Sequence, residues 1–226
     1  MATAASSAAL LGGGVALGAA AAVVCCAANP SMEQAHAQPD TTQDTRQEAV
    51  LRFWFGGSAK EQYATLWFAP NNSPQQATAD AAIRDRFGDL LAAAERGELE
   101  GWRSTPRGLL VLIVLLDQFT RHVHRGDCKR GRMGGGEPND AKALACAEEM
   151  LTRQWEARLG VAELVFALMP LRHSPTPERL QRVLGHLDAR DSQNEQLVDL
   201  LERFRRQTTR RLADAQAAER KLASAK

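Results

Sequence analysis

The residues best equipped for chemistry stand close together: Asp117, Gln118, Arg121, His122, His124 and Arg125 follow directly on an unbroken apolar run, Leu109–Leu116. At about 100° per residue on a helix, Asp117, Arg121, His124 and Arg125 share one face, while Phe119 and Val123 point elsewhere. Asp117 and Arg121 lie four apart with the acid N-terminal, the better order for a pair. Two arginines on one face offer forked donors that suit a carboxylate or phosphate. A histidine beside a carboxylate is a means of moving protons near neutral pH. The same residues also suit a buried polar network that ties helix ends together. Both readings stay open at this point.

Other chemistries find less support. His122 and His124 are two apart, so they diverge on a helix, and no carboxylate-rich cluster accompanies them; no metal site is expected. Cys25, Cys26, Cys128 and Cys146 form no CxxC pair and no zinc spacing, which leaves packed or free thiols. There is no Gly-x-Ser-x-Gly elbow, and Cys128 sits in a loop without an arranged histidine. Gly134-Gly135-Gly136 follows a helix and lacks the Gly-Lys-Ser/Thr ending of a phosphate loop, so a connector is its expected role. No cofactor is expected.

The elements that must position the polar cluster are helices. Abundant Ala, a single Tyr and few β-branched residues favour helix over sheet. A hydrophobic share of 44% with 24% charged residues is that of a soluble globular chain, and a net charge of +1 argues against a globally basic nucleic-acid binder. The run Leu109–Leu116 is apolar all round, which a helix tolerates only with neighbours on every side, and it is too short to span a membrane. Thr105-Pro106 starts this central helix and Gly126 closes it. Around it the pattern predicts helices over Gln47–Phe55, stopped by Gly56-Gly57, and from Ser73-Pro74 to Gly97, with Leu99 and Trp102 folding back as a plug. Asn139 or Asp140 caps a helix Ala141–Leu151. Val161–Met169 is ended by Pro170, and 170–175 is a polar turn. Thr176-Pro177 caps a further helix, and Ser192–Glu195 is a capping box for the last. The aromatics Phe53, Trp54, Phe55, Trp67 and Phe68 read as packing, since no basic residues interleave with them as they do in base-stacking platforms. Arg203, Arg205, Arg206, Arg210 and Arg211 read as a solvated helix face, so no nucleic-acid partner is expected.

The first 45 residues read as a leader and linker, 46–212 as a helical domain and 213–226 as a charged tail. Ala8–Ala28 carries no charge and is long enough to cross a bilayer, but it is mostly Ala and Gly, and no Lys or Arg precedes Arg46. Three readings stay open: a membrane anchor or secretory signal, an organelle-targeting segment, or a non-globular tail on a cytoplasmic protein. Any membrane contact is expected only through residues 8–28.

Several blocks occur in a telling order: FWFG (Phe53–Gly56), IRDRFGDLLAAAERGELEGW (Ile83–Trp102), TPRG (Thr105–Gly108), LDQFTRHVHRG (Leu116–Gly126), NDAKALA (Asn139–Ala145) and MPLRHS (Met169–Ser174). Over residues 48–210 the chain resembles the domain-of-unknown-function family numbered 924. The resemblance implies an all-α fold of antiparallel helical hairpins, a tetratricopeptide-like right-handed array, and no established activity. It places Asp117, Gln118, Arg121, Arg125, Asp140 and His173 in the family's polar motif blocks. The chain departs from the pattern at Thr120, where many members have Pro, at Pro175, where many have Glu, and in lacking the usual C-terminal block rich in Phe, Pro, His and Arg.

The candidate ligand-binding residues are therefore Asp117, Gln118, Arg121, His124, Arg125, Asp140 and His173. In that reading His173 or His124 serves as acid or base and is oriented by Asp117 or Asp140. Two functions follow. The first, by analogy of fold, is a scaffold that takes a protein or peptide partner in a concave groove. The alternative is a small-molecule enzyme or binder of a small anionic ligand that uses the Asp/Arg/His cluster.

Overall fold

Three of the helices begin by one device. Ser73, Thr105 and Thr176 each accept, on the side-chain oxygen, the backbone N–H three residues on, and each is followed by proline at the first helical position. Proline there has no N–H to leave unsatisfied, and its φ is already helical.

A computed structural model of the chain describes residues 41–125, 138–190 and 194–224. The order is α1 (Thr41–Phe55), α2 (Ala59–Gln62) running into a wide π-helical turn (Tyr63–Trp67), α3 (Pro74–Glu95), a 3-10 turn (Glu100–Ser104) and α4 (Pro106–Ile113). A second π-helical turn (Val114–Phe119) joins α4 to α5 (Thr120–Val123); α6 (Pro138–Thr152), α7 (Val161–His173), α8 (Pro177–Asp188) and α9 (Glu195–Ser224) follow. The fold is all-α, with no strand among the described residues. The leader, the loop with Cys128 and the triple glycine, Gly126 and the Ser192 cap lie outside those residues. Asn194, just before α9, accepts the N–H of Gln196 on its side chain. Among the described residues no helix is long and apolar enough to cross a membrane.

The segment from Pro106 to Val123 is the central rod. α1, α6 and α7 pack on α4, α3, α6 and α7 pack on the π turn, and α3 packs on α5. Leu112 is 2% exposed and Leu115 is fully buried, as an apolar run without a polar side demands. Each such leucine adds about 1.5–3 kcal/mol by leaving water. Trp54 of α1 packs edge-on against Phe119 of the rod and Phe166 of α7, with ring centroids 5.4 and 5.3 Å away. Gly97, at φ +80°, ends α3: its left-handed backbone lets Glu98 N–H reach back to Ala93 O at 2.9 Å. The consecutive pairs α6–α7 and α8–α9 pack as hairpins, an arrangement compatible with tetratricopeptide-like stacking.

Three expectations need correction. Pro170 does not end α7, which runs on to His173; Ser174 N–H bonds Pro170 O at 3.0 Å, so the helix continues beyond the ring. Proline removes its own N–H and crowds the carbonyl four residues back, and tight packing along Leu164–Leu171 outweighs that cost. The expected turn at 170–175 is therefore largely buried helix, and Arg172 and His173 are core residues. α6 begins at Pro138, so Asn139 and Asp140 sit in its first turn and do not cap it. The third correction concerns the polar end of the rod.

Candidate functional site: two ion clusters at the end of the central rod

The π-helical turn decides which side chains meet. Thr120 N–H reaches back five residues to Leu115 O, which inserts one extra residue into the rod and rotates everything beyond it relative to a regular helix. The Thr120 hydroxyl points to the same carbonyl at 3.4 Å and accepts a bond from Asn139 at 3.1 Å. Asp117 and Arg121 still face the interior. His124 and Arg125 turn instead toward α3. The single face expected of Asp117, Arg121, His124 and Arg125 is thus two faces.

The inner cluster joins Asp117, Gln118, Arg121, Asp140 and His173, all buried. Arg121 Nη2 donates to Asp117 Oδ1 at 3.1 Å and to Asp140 Oδ1 at 2.7 Å. Those two contacts use both hydrogens of Nη2. The His173 Nδ1 that lies 3.0 Å from it therefore carries its own proton and donates to Asp117 Oδ1 at 2.7 Å. Gln118 Nε2 donates to the other Asp117 oxygen. Burial pushes the Asp117 carboxyl up; His173 and Arg121 beside it more than offset that and hold it below the ordinary carboxylate value. Asp140 gains further from its place in the first turn of α6, where the free N–H groups favour an anion. Arg121 Nε and Asp140 Oδ2 are buried without a protein partner among the described residues.

The outer cluster was only partly legible. Asp80 of α3 holds both Arg125, through Nε at 2.7 Å and Nη2 at 3.1 Å, and His122, whose Nδ1 lies 2.7 Å from Oδ1. Burial raises the Asp80 carboxyl, but His122 and Arg125 lower it further, so it stays ionised. An ionised carboxylate only accepts, which places a proton on His122 Nδ1. His124 contacts Glu95 at 3.2 Å, and Asn139 donates to the same oxygen at 2.7 Å. Asp80, Glu95 and His122 were absent from the expected site. The signal for Asp80 was available: with Gln76, Ile83, Phe87 and Leu91 it falls on the buried stripe of α3, where a charge needs a partner.

Among the described residues, the outer cluster borders an open volume. A cavity of about 350 Å³ is lined by His122 and Arg125 on one side and by Trp67, Phe68, Asn71 and Gln76 on another. The sequence holds that second wall in place. Asn72 takes a left-handed φ of 60°, and Gln76 clips the turn by accepting Asn72 N–H at 2.9 Å and donating to Asn71 Oδ1 at 3.3 Å. Trp67 is anchored through Nε1 to Trp54 O at 2.9 Å. Elsewhere, Cys146 is a buried free thiol; burial pushes it up to about 11 although Arg103 draws it down, so it is a packing residue. No group of three or more His, Cys, Asp or Glu among the described residues is arranged to hold a metal ion.

The family model described as a bacterial protein of unknown function, DUF924, matches residues 50–221. The chain belongs to the DUF924 family. The match covers both ion clusters and every candidate residue. The DUF924 chain is also similar in structure to ATU0120, a protein of unknown function from Agrobacterium tumefaciens. The TM-score is 0.55 and the identity 24%, over 72% of this chain and 82% of that one. That likeness speaks to the fold alone. No curated protein matches the chain.

Proposed function

We propose that this protein binds a small carboxylate with an apolar body in the cavity between the 68–76 turn and the end of the central rod. The observation that carries the reading is the make-up of the cavity wall. Arg125 and His122, both backed by Asp80, face a surface formed by Trp67 and Phe68. Arg125 Nη1 and His122 Nε2 take no partner among the described residues; Arg125 Nη1 donates to an incoming carboxylate oxygen, and His122 Nε2 does so once it carries a proton. Phe68 is one of just two large apolar side chains exposed among the described residues; the other is Leu222, near the far end of α9. An apolar peptide groove needs a contiguous exposed patch, and two separate side chains do not make one. This favours the small-ligand reading over a peptide scaffold. In this reading the inner cluster is structural: it fixes the rod's end so that His122 and Arg125 are presented at a constant angle.

The test is calorimetric titration of the full chain with benzoate and phenylacetate, beside acetate and toluene-free buffer controls. The reading expects the aromatic acids to bind more tightly than acetate. Arg125→Ala should weaken them at least tenfold, with a melting temperature within a few degrees of the parent, in line with a partly exposed ion pair worth about 0–1 kcal/mol. Equal affinity in parent and variant would remove the support for this site.

A further inference from the structure

Next to His173 in α7 lies a cation that the site above does not use. Arg172 is 7% exposed at the C-terminal end of α7, with its guanidinium stacked 4.9 Å from the ring centroid of Phe204 on α9. Its polar contacts are few. Nη2 donates to Gln207 Oε1 at 2.9 Å, Nη1 lies 3.7 Å from the Met169 sulfur, and Nε is buried with no partner. A second guanidinium is directly adjacent: Arg211, half-buried on α9, donates through Nη1 to the backbone carbonyl of Arg172 at 2.8 Å. No carboxylate bonds to either arginine among the described residues. Asp117 offsets part of the Arg172 charge through space, but its oxygens are committed to Arg121, His173 and Gln118.

Two like charges side by side, one of them out of water and with an idle N–H, are unfavourable unless something negative joins them. The physical signs agree: burial, and then the repulsion of Arg211, draw Arg172 down to about 10. The carbonyl ends of α7 favour a cation here, yet they supply only partial charge, and one of them is already taken by Arg211. We infer that Arg172 and Arg211 form an oxyanion site of the phosphate class, with Arg172 Nε and the free nitrogens of Arg211 as its donors. A phosphate suits the pair because its several oxygens can reach guanidinium groups that come from two different helices, and its double charge matches two cations. Arg211 is half-buried, so its guanidinium meets solvent at one side of the pair. This site stands apart from the cavity at His122 and Arg125, and does not depend on the reading given to it.

The experiment uses the full chain and three probes, inorganic phosphate, phenyl phosphate and acetate, each at ionic strength matched with chloride. Binding is read by calorimetry and by the melting temperature. Inorganic phosphate is expected to raise the melting temperature above the chloride control; phenyl phosphate acting equally or better identifies a phosphoryl-bearing metabolite as the source, and a response to inorganic phosphate alone identifies the free ion. Acetate should do markedly less. Arg211→Gln should weaken phosphate binding at least tenfold, whereas Arg210→Gln, an exposed neighbour, should leave it unchanged. Arg172→Met, which keeps the buried stem and removes the charge, should abolish the response and melt no lower than the parent in phosphate-free buffer. The inference is overturned if phosphate does no more than chloride, or if Arg211→Gln responds like the parent.

Discussion

Consider Arg121→Met. The methionine retains most of the buried stem, so the change isolates the loss of the guanidinium. Arg121 Nη2 bridges Asp117 and Asp140, at 3.1 and 2.7 Å, and both carboxylates are buried. Removing it leaves two acids facing each other, with His173 and Gln118 still bonded to Asp117. Breaking a buried pair of this kind costs about 3–5 kcal/mol. At roughly 2–4 °C per kcal/mol for a domain of this size, the melting temperature should fall by about 6–20 °C. The pH profile gives a second readout. In the parent, Asp117 titrates below its ordinary 3.8, so its stabilisation is fully present at neutral pH. That contribution is lost as the pH falls from the unfolded value through the depressed folded one. Arg121→Met removes one of the two lowering influences while burial still pushes upward, so the folded value moves toward or above the unfolded one and this acid-linked loss should shrink. Urea titrations followed by circular dichroism at pH 7 and across the acid range measure both effects. A cost under about 1 kcal/mol with an unmoved acid limb would refute the buried-network account. Adding Asp140→Asn to Arg121→Met should recover part of the loss.

Further outcomes follow from individual positions. Leu115→Ala, at a fully buried site in the rod, should cost about 2–5 kcal/mol in urea denaturation. Gly108→Ala should destabilise despite helix propensity, because a Cβ there would sit 2.2 Å from the backbone carbonyl of Trp102, which cannot swing away; a gain in melting temperature would contradict this. Asp80→Asn should cost more stability at pH 7 than at pH 3, since the depressed Asp80 carboxyl stabilises the fold only while ionised, and it should also loosen phenylacetate binding by freeing Arg125 and His122.

Much of the fold could be read from residue types alone. The Ser73, Thr105 and Thr176 caps and the glycine at 97 act through local backbone chemistry, which needs no knowledge of neighbours. The burial of Leu109–Leu116 was equally legible, because a helix without a polar face has one stable environment. Pairing of Asp117 with Arg121 and His173 is present as expected. The division between inner and outer clusters was not legible, because it depends on the π turn at Val114–Phe119, and a run of apolar residues carries no mark of where its hydrogen bonds lengthen by one residue. For the same reason Arg125 found Asp80 and His124 found Glu95, both partners from a helix distant in sequence. Arg172 was hidden by Pro170, which suggested a turn where tertiary packing imposes a helix.

Histidine nitrogen resonances distinguish the buried polar cluster from the cavity-facing one directly. In ¹⁵N-labelled protein, both His122 and His173 are expected to carry a proton on Nδ1. Adding phenylacetate should then shift His122 Nε2 and leave His173 where it was. A shift at His173 with His122 unmoved would place the ligand at the wrong cluster and contradict the account.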